Sequence, residues 1–273
     1  MTCECNKEQA TAGIITGSDQ LVEGGVPRTR NKVAIVGFAP STMNEVRHVW
    51  DDPDMEIWSI NQLYMAFPEI VPKTTRWFQI HSRRSYDQTV GRDHSHHEWM
   101  ANQKDQFLIY MQEKQPDIPM SVKFPKDEIL QMFGRYFTNS ISWEIALAIA
   151  EGFKEIHIYG VDMATDDEHA FERPSVEYFC GWARGAGINL VIPEKSDLLK
   201  SMWLYPYEDD SVFRTKLQAR RVELRERIGV LGSQEQGLRD QRMHLIGAAE
   251  NMNYVQKCWS DNAKEFGLQG KIS

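Results

Sequence analysis

The sequence predicts an α/β fold: a Rossmann-like, doubly wound, mostly parallel sheet with a C-terminal helical appendage. Three observations predict it. Short continuous apolar runs recur through residues 31–207, each closed by a small or polar residue, as strands buried on both faces do. Segments with helical spacing alternate with them, which is the order of an α/β sheet. Beyond residue 207 the strand pattern stops, and an apolar residue recurs every seven positions instead.

Taken in order, residues 1–30 are polar, rich in Gly, Thr and Glu, and broken by Gly24-Gly25-Val26-Pro27; they form a flexible leader. Residues 33–36 (Val-Ala-Ile-Val) are a buried strand that stops at Gly37. Ser41-Thr42 followed by Glu45 has the form of an N-cap with its capping-box partner, so a helix starts near residue 41. Residues 56–60 make a second strand closing on Asn61, and residues 76–80 a third closing on His81. A polar stretch follows over 82–98, then an amphipathic segment over 99–111, ended by Pro116 and Pro119. Residues 122–124 form a short edge strand. The clearest helix runs from Ser140 to Glu151, with apolar residues at 141, 145, 148 and 149 and Gly152 as its stop. A strand over 155–159 ends at Gly160-Val161-Asp162. Ser175 caps a helix over 175–185 just after Pro174, and a strand over 189–192 is closed by Pro193.

In the tail, Leu217, Leu224, Leu231, Leu238, Leu245, Met252 and Trp259 share one heptad column, while the companion column reads Arg221, Ile228, Glu235, Arg242, Ala249 and Gln256. A long coiled coil wants two apolar columns, and Gly229, Gly232 and Ser233 offer a break. Residues 208–273 therefore predict a helical hairpin or a coiled-coil-like tail, for packing or self-association.

Composition narrows the class. No run of about 18 apolar residues occurs, so no transmembrane helix is predicted, and Glu4, Lys7 and Glu8 interrupt any secretory core, which makes a cytoplasmic location the expectation. Cys3, Cys5, Cys180 and Cys258 are too few for a disulfide framework. Net charge is −8. The 208–273 tail is nearly neutral, so the acidity lies in the body, which gives no support to non-specific nucleic-acid binding.

Open parallel sheets bind ligands at the carboxyl ends of their strands. Here Gly37-Phe38-Ala39-Pro40-Ser41 is a strand–turn–helix with small residues, whose free N–H groups and helix dipole suit a phosphate or nucleotide; a tight turn without ligand is the alternative. Asn61 and Gln62, His81 and Ser82, and Gly160 with Asp162 close other strands. Thr138, Asn139 and Ser140 open the clear helix, with simple capping as the alternative. Arg83 or Arg84 beside His81 can meet an anion. The cluster His94-Ser95-His96-His97-Glu98 lacks metal-site spacing and is assigned no metal; it is a solvated loop or a lid over an acceptor site. His157, mid-strand, is structural. No Ser-His-Asp arrangement and no D-x-D at a strand end is present.

Residues 33–41 followed by Asn61-Gln62-Leu63-Tyr64 resemble the start of the bacterial CMP-sialic-acid sialyltransferases, which carry a G-N-G-P-S turn and then a C-N-Q-x-Y strand end. Thr138-Asn139-Ser140, then Gly152-Phe153-Lys154-Glu155-Ile156, then Gly160-Val161-Asp162-Met163 are similar to that family's T-S-G, G-Y-K-E-I and G-I-D-F, in the same order. The archaeal 6-hydroxymethylpterin diphosphokinase-like family shares much of this skeleton. The resemblance implies that Gly37, Ala39, Pro40, Ser41, Asn61, Thr138, Asn139 and Ser140 hold a nucleotide, with Gln62, Gly160 and Asp162 beside them. Phe38 stands where the family has Asn, and Asn139-Ser140 where it has S-G. The family's general base is a His on the loop after the G-x-D strand, a place taken here by His169. Arg173 would offset phosphate charge, and Glu177 is a rival base.

The function implied is a nucleotide-sugar-dependent glycosyltransferase, sialyltransferase-like, transferring to an acceptor hydroxyl without a metal or other cofactor; the nucleotide sugar is a co-substrate. One alternative is a pterin-type pyrophosphokinase using ATP and Mg²⁺ on an acidic ligand such as Asp162. Another, kept open by Phe38, is a non-catalytic assembly or interaction protein of bacteriophage type that retains the fold. Partners are a nucleotide or nucleotide sugar and a second copy of the tail, with no membrane; a modified nucleobase is a possible acceptor although charge gives nucleic acid no support.

Overall fold

The structure, a computed structural model of the chain, describes residues 30–86, 94–163, 167–201, 204–207 and 212–265. These fall into two units, one up to Lys200 and one from Ser201 onward. The expected 1–30 leader lies outside the described residues apart from Arg30.

The first unit is built on seven strands, β1 (Lys32–Val36), β2 (Met55–Ile60), β3 (Arg76–Gln79), β4 (Leu108–Met111), β5 (Ser121–Lys123), β6 (Glu155–Tyr159) and β7 (Asn189–Val191). Their order is β5-β4-β3-β2-β1-β6-β7, and every neighbouring pair is parallel. The helices are α1 (Leu63–Ala66), α2 (Arg83–Tyr86), α3 (His94–Ala101), α4 (Lys126–Phe133), α5 (Ser140–Ala150) and α6 (Asp167–Gly185), with 3₁₀ turns at Met43–His48 and Pro68–Lys73. The chain walks outward from β1 to β5, then returns to place β6 on the other side of β1. The topological switch point therefore lies between β1 and β6, the place where such sheets open a crevice.

Alternation along each strand splits the core in two. Val33, Ile35, Trp58, Ile60 and Phe78 pack with α5 and α6 residues such as Ile145 and Phe179. Ala34, Val36, Ile57 and Trp77 pack on the opposite face with Met43, Val46, Leu63 and Ile70. Both faces are covered, which is why β1 is almost a continuous apolar run and the other central strands bury even their polar residues. One charged group crosses this interior. Arg76 on β3 is buried and pairs with Glu56 of β2 at 2.8 Å and Glu151, just past α5, at 2.7 Å.

Three local expectations are corrected. Residues 99–111 are not one amphipathic helix: α3 ends at Ala101 and Leu108–Met111 is strand β4, inserted between β3 and β5. The helix near residue 41 is a 3₁₀ turn, Met43–His48, whose N-cap Thr42 makes no side-chain cap bond; its hydroxyl instead accepts from the Gly160 N–H at 2.9 Å. Ser175 is not a cap, because α6 begins at Asp167 and carries Pro174 inside it. The Ser175 hydroxyl bonds that of Thr138 at 2.8 Å.

The second unit holds α7 (Val212–Glu265), a single helix of 54 residues. The hairpin break expected at Gly229, Gly232 and Ser233 does not occur. A glycine lowers helix stability by about 1 kcal/mol without forcing a turn, and Ser233 turns its hydroxyl back onto the Gly229 carbonyl at 3.0 Å. Among the described residues no helix is long and apolar enough to cross a membrane.

Candidate functional site

Two neighbouring parts of the carboxyl edge carry the residues the sequence singles out, and they are built differently. At the switch point the 37–41 turn closes on the chain itself. Gly37 donates its N–H to the Tyr159 carbonyl at 2.9 Å, and Ala39 donates to the Gly160 carbonyl at 2.7 Å. The Ser41 hydroxyl donates to the Asp162 carboxylate. Gly37 and Gly160 are glycines because the two backbones touch: a Cβ on Gly37 would stand 2.5 Å from the Gly160 carbonyl oxygen, and one on Gly160 would stand 2.3 Å from that of Gly37. Gly160 also sits at φ +64°, in the left-handed region. The expectation of free N–H groups therefore fails for Gly37 and Ala39, and Pro40 has none. Phe38 remains at the turn, 39% exposed.

Asn61 ends β2 with φ 45°, its N–H donating to the Phe78 carbonyl at 2.9 Å and its carbonyl accepting from the Trp77 indole at 3.0 Å. Its side-chain oxygen is buried and has no hydrogen-bond partner among the described residues. Gln62 beside it is the N-cap of α1 and makes no side-chain cap bond.

The second part is an open cleft of about 620 Å³, at the ends of β3, β4 and β5 and against the start of α5. That is the size of a small-molecule site. Its apolar wall is Phe124, Phe137 and Trp143; Phe137 and Trp143 stack at 3.8 Å, and Phe124 meets Trp143 edge-on at 5.6 Å. Its polar wall includes His81, Ser82, Lys123, Lys126 and the 138–140 segment. Lys123 pairs with Glu113 across 3.0 Å, and that hydrogen bond holds its ammonium above the ordinary lysine range.

The three helix-start residues have separate duties. Asn139 accepts the Ser142 N–H at 2.9 Å, the capping role that was the alternative reading. Thr138 is clasped to α6, donating to the Glu172 carbonyl at 3.1 Å besides its bond to Ser175. Ser140 makes no side-chain bond among the described residues and lines the cleft. Thus the structure brings Thr138, Asn139 and Ser140 together with His81 and Ser82, and it brings Gly37 to Ser41 together with Gly160 and Asp162.

The candidate catalytic residues lie along α6. His169 is in its first turns, and its side chain lies outside the described residues. Arg173 and Glu177 pair with each other at 2.9 Å. Arg173 also donates to the carbonyls of Asp197 and Lys200, both at 2.9 Å, and Glu177 accepts the Leu199 N–H at 2.8 Å. Together they fasten the 197–200 turn to α6.

The histidine cluster is corrected from a solvated loop to helix α3. Its side chains diverge: His96 is fully buried, bonded to Gln79 at 2.8 Å and stacked on Tyr64 at 5.7 Å, whereas His97 meets Asp117 at 2.9 Å. Arg83, and after it His97, hold the Asp117 carboxyl well below the usual range. His157 is structural, bonded to Tyr159 and Glu155. The cleft residues that sequence reasoning missed are Gln112, Glu113, Lys123, Lys126, Asp127 and Trp143. Their signal was Leu108-Ile109-Tyr110-Met111, a compact apolar run between polar neighbours that announces β4 and hence a further strand end.

No family model matches the sequence, and no curated protein matches it. Among solved structures, the chain is similar to the Campylobacter jejuni sialyltransferase CstII in complex with the substrate analogue CMP-3FNeuAc, with 18% identity, TM-score 0.41, and 59% of this chain and 79% of that one covered. It is also similar to the monofunctional α-2,3-sialyltransferase Cst-I from the same organism, with 13% identity, TM-score 0.41, and 76% and 98% covered. Likenesses this distant do not decide the chemistry, which has to be read from the side chains at the carboxyl edge.

Proposed function

We propose that the chain is a nucleotide-sugar-dependent glycosyltransferase whose donor binds in the cleft at the start of α5. The observation that carries this is the pairing, in one cleft, of an aromatic wall (Phe124, Phe137, Trp143) with a polar wall where the start of α5 at Ser140 lies near Lys123 and Lys126, each lysine beside a carboxylate (Glu113 and Asp127). A nucleotide sugar needs both: rings to take its base or sugar face, and N–H or ammonium donors for its phosphate. The sequence resemblance to CMP-sialic-acid sialyltransferases supports the same reading. In the reaction, a base removes the proton of an acceptor hydroxyl, whose oxygen attacks the anomeric carbon while the nucleotide leaves with the bonding pair. His169 is the proposed base, and His81, which lines the cleft, would face the donor.

The test is thermal shift with CMP, UDP, GDP and ATP, each with and without Mg²⁺, followed by CMP release from a CMP-sugar. Stabilisation by CMP or a nucleoside diphosphate without metal, with His169→Ala keeping that shift but losing turnover, is the expected result. A response confined to ATP with Mg²⁺ would convert the reading to a pyrophosphokinase. No response to any nucleotide would overturn both enzymes and leave an assembly protein on this fold.

A further inference from the structure

The described part of α7 exposes an apolar column that its own unit does not cover. Leu231, Leu238, Leu245, Met252 and Trp259 are 63–77% exposed and fall on one heptad position of a helix about 80 Å long. Helices in proteins draw most of their stability from packing an apolar face, and this one also carries Gly229, Gly232, Gly237 and Gly247, each with open space where a Cβ would stand. We propose that α7 pairs with α7 of a second copy of this chain, as an antiparallel two-stranded coiled coil centred near Asp240.

The direction follows from the companion column. In a parallel, in-register pair each position meets itself, so Arg221 would face Arg221, Glu235 would face Glu235 and Arg242 would face Arg242 along the axis, with like charges brought together. In an antiparallel pair the two columns meet each other. Arg242 then lies beside the partner subunit's Leu238, Glu235 beside the partner subunit's Leu245, and Ala249 beside the partner subunit's Leu231. Each charged side chain extends its apolar stem over a leucine and keeps its head in water. The same register sets Ile246 against Gly232, a large residue against one without a side chain. It also spreads the Arg220, Arg221, Arg225 and Arg227 cluster to opposite ends of the pair, where a parallel pair would stack two such clusters. A column that is poor for a parallel coil is thus complementary to the good one when the chains run in opposite directions.

The test uses the full chain. Light scattering at micromolar concentration should give twice the chain mass, and Leu238→Glu with Leu245→Glu should halve it while the α/β unit melts at its usual temperature. In a background carrying Cys3→Ser, Cys5→Ser and Cys258→Ser, Gln241→Cys near the two-fold axis should cross-link to its mate under oxidation, and Leu224→Cys far from the axis should not. A monomeric mass for the unaltered chain, or a dimer untouched by the double glutamate variant, would overturn the proposal. Equal cross-linking at 224 and 241 would overturn the antiparallel direction.

Discussion

The two helix-start turns that look alike in the sequence, 37–41 and 138–140, do opposite things. The first is largely closed: the N–H groups of Gly37 and Ala39 go to Tyr159 and Gly160, its serine goes to Asp162, and its glycine lets two backbones touch. The second is open: Asn139 and Thr138 tie it to the protein, and Ser140 is left facing a cleft with an aromatic wall and a polar wall of paired lysines and carboxylates. Small and polar residues at a strand end signal a demanding backbone, and the demand can be a chain crossing as readily as a ligand.

The contrast can be broken most forcefully at Gly160. Gly160→Ala adds a Cβ into the Gly37 carbonyl at a positive φ, and should cost roughly 3 kcal/mol or more, with poor folding of the α/β unit. A urea midpoint equal to that of the unaltered chain would show that the contact yields. The open side should respond with the opposite sign. Glu144, one turn beyond Ser140 on α5, is fully buried, neither of its carboxyl oxygens has a hydrogen-bond partner among the described residues, and burial pushes its pKa well above the ordinary range. Below the ordinary carboxylate pKa both states are protonated and nothing is lost. Above it the unfolded chain releases a proton that the folded chain keeps, so stability falls as pH rises until the folded carboxyl itself ionises. Glu144→Leu should raise stability at pH 7 by about 2 kcal/mol and flatten the pH slope between pH 5 and 8, measured as Tm across that range; an unaltered slope would reject the assignment. The smallest effect on the fold is expected from Lys126→Ala, within about 0.5 kcal/mol for an exposed residue. Its affinity for CMP should nevertheless drop about tenfold through the lost charge-assisted contact. Equal CMP affinity in titration calorimetry would place the nucleotide elsewhere.

These differences also set what could be read in advance. Strands β1, β2, β3, β6 and β7 were legible because each holds a short, mainly apolar run closed by a small or polar residue, and α5 because its spacing and its cap agree. Strand β4 was hidden behind α3: Trp99, Met100 and Phe107 continue an apolar periodicity across the break at residues 102–107, and only the side-by-side Leu108 to Met111 separates strand from helix. The early start of α6 was hidden by Pro174, which normally marks a helix beginning and here lies inside one. At the site, Thr138, Asn139 and Ser140 were visible as a helix start. Lys123 and Lys126 were not, because one reaches the cleft through the register of an edge strand three residues long and the other through the start of α4 just after it.

The Lys123–Glu113 pair at the rim of the cleft has a consequence for selectivity. Both side chains are more than half exposed, so their attraction is modest and is screened within about 10 Å at ordinary salt. Glu113 then acts as a built-in counter-ion that an incoming anion has to displace from Lys123. The exchange replaces one ion pair by another, which leaves little net gain from that lysine. Lys126 likewise has Asp127 beside it at 4.0 Å, so in the proposed site discrimination among anionic ligands would fall to the amide end of α5, and it should weaken only gently as ionic strength rises, because a dipole fixed in the backbone has no competing carboxylate to return to.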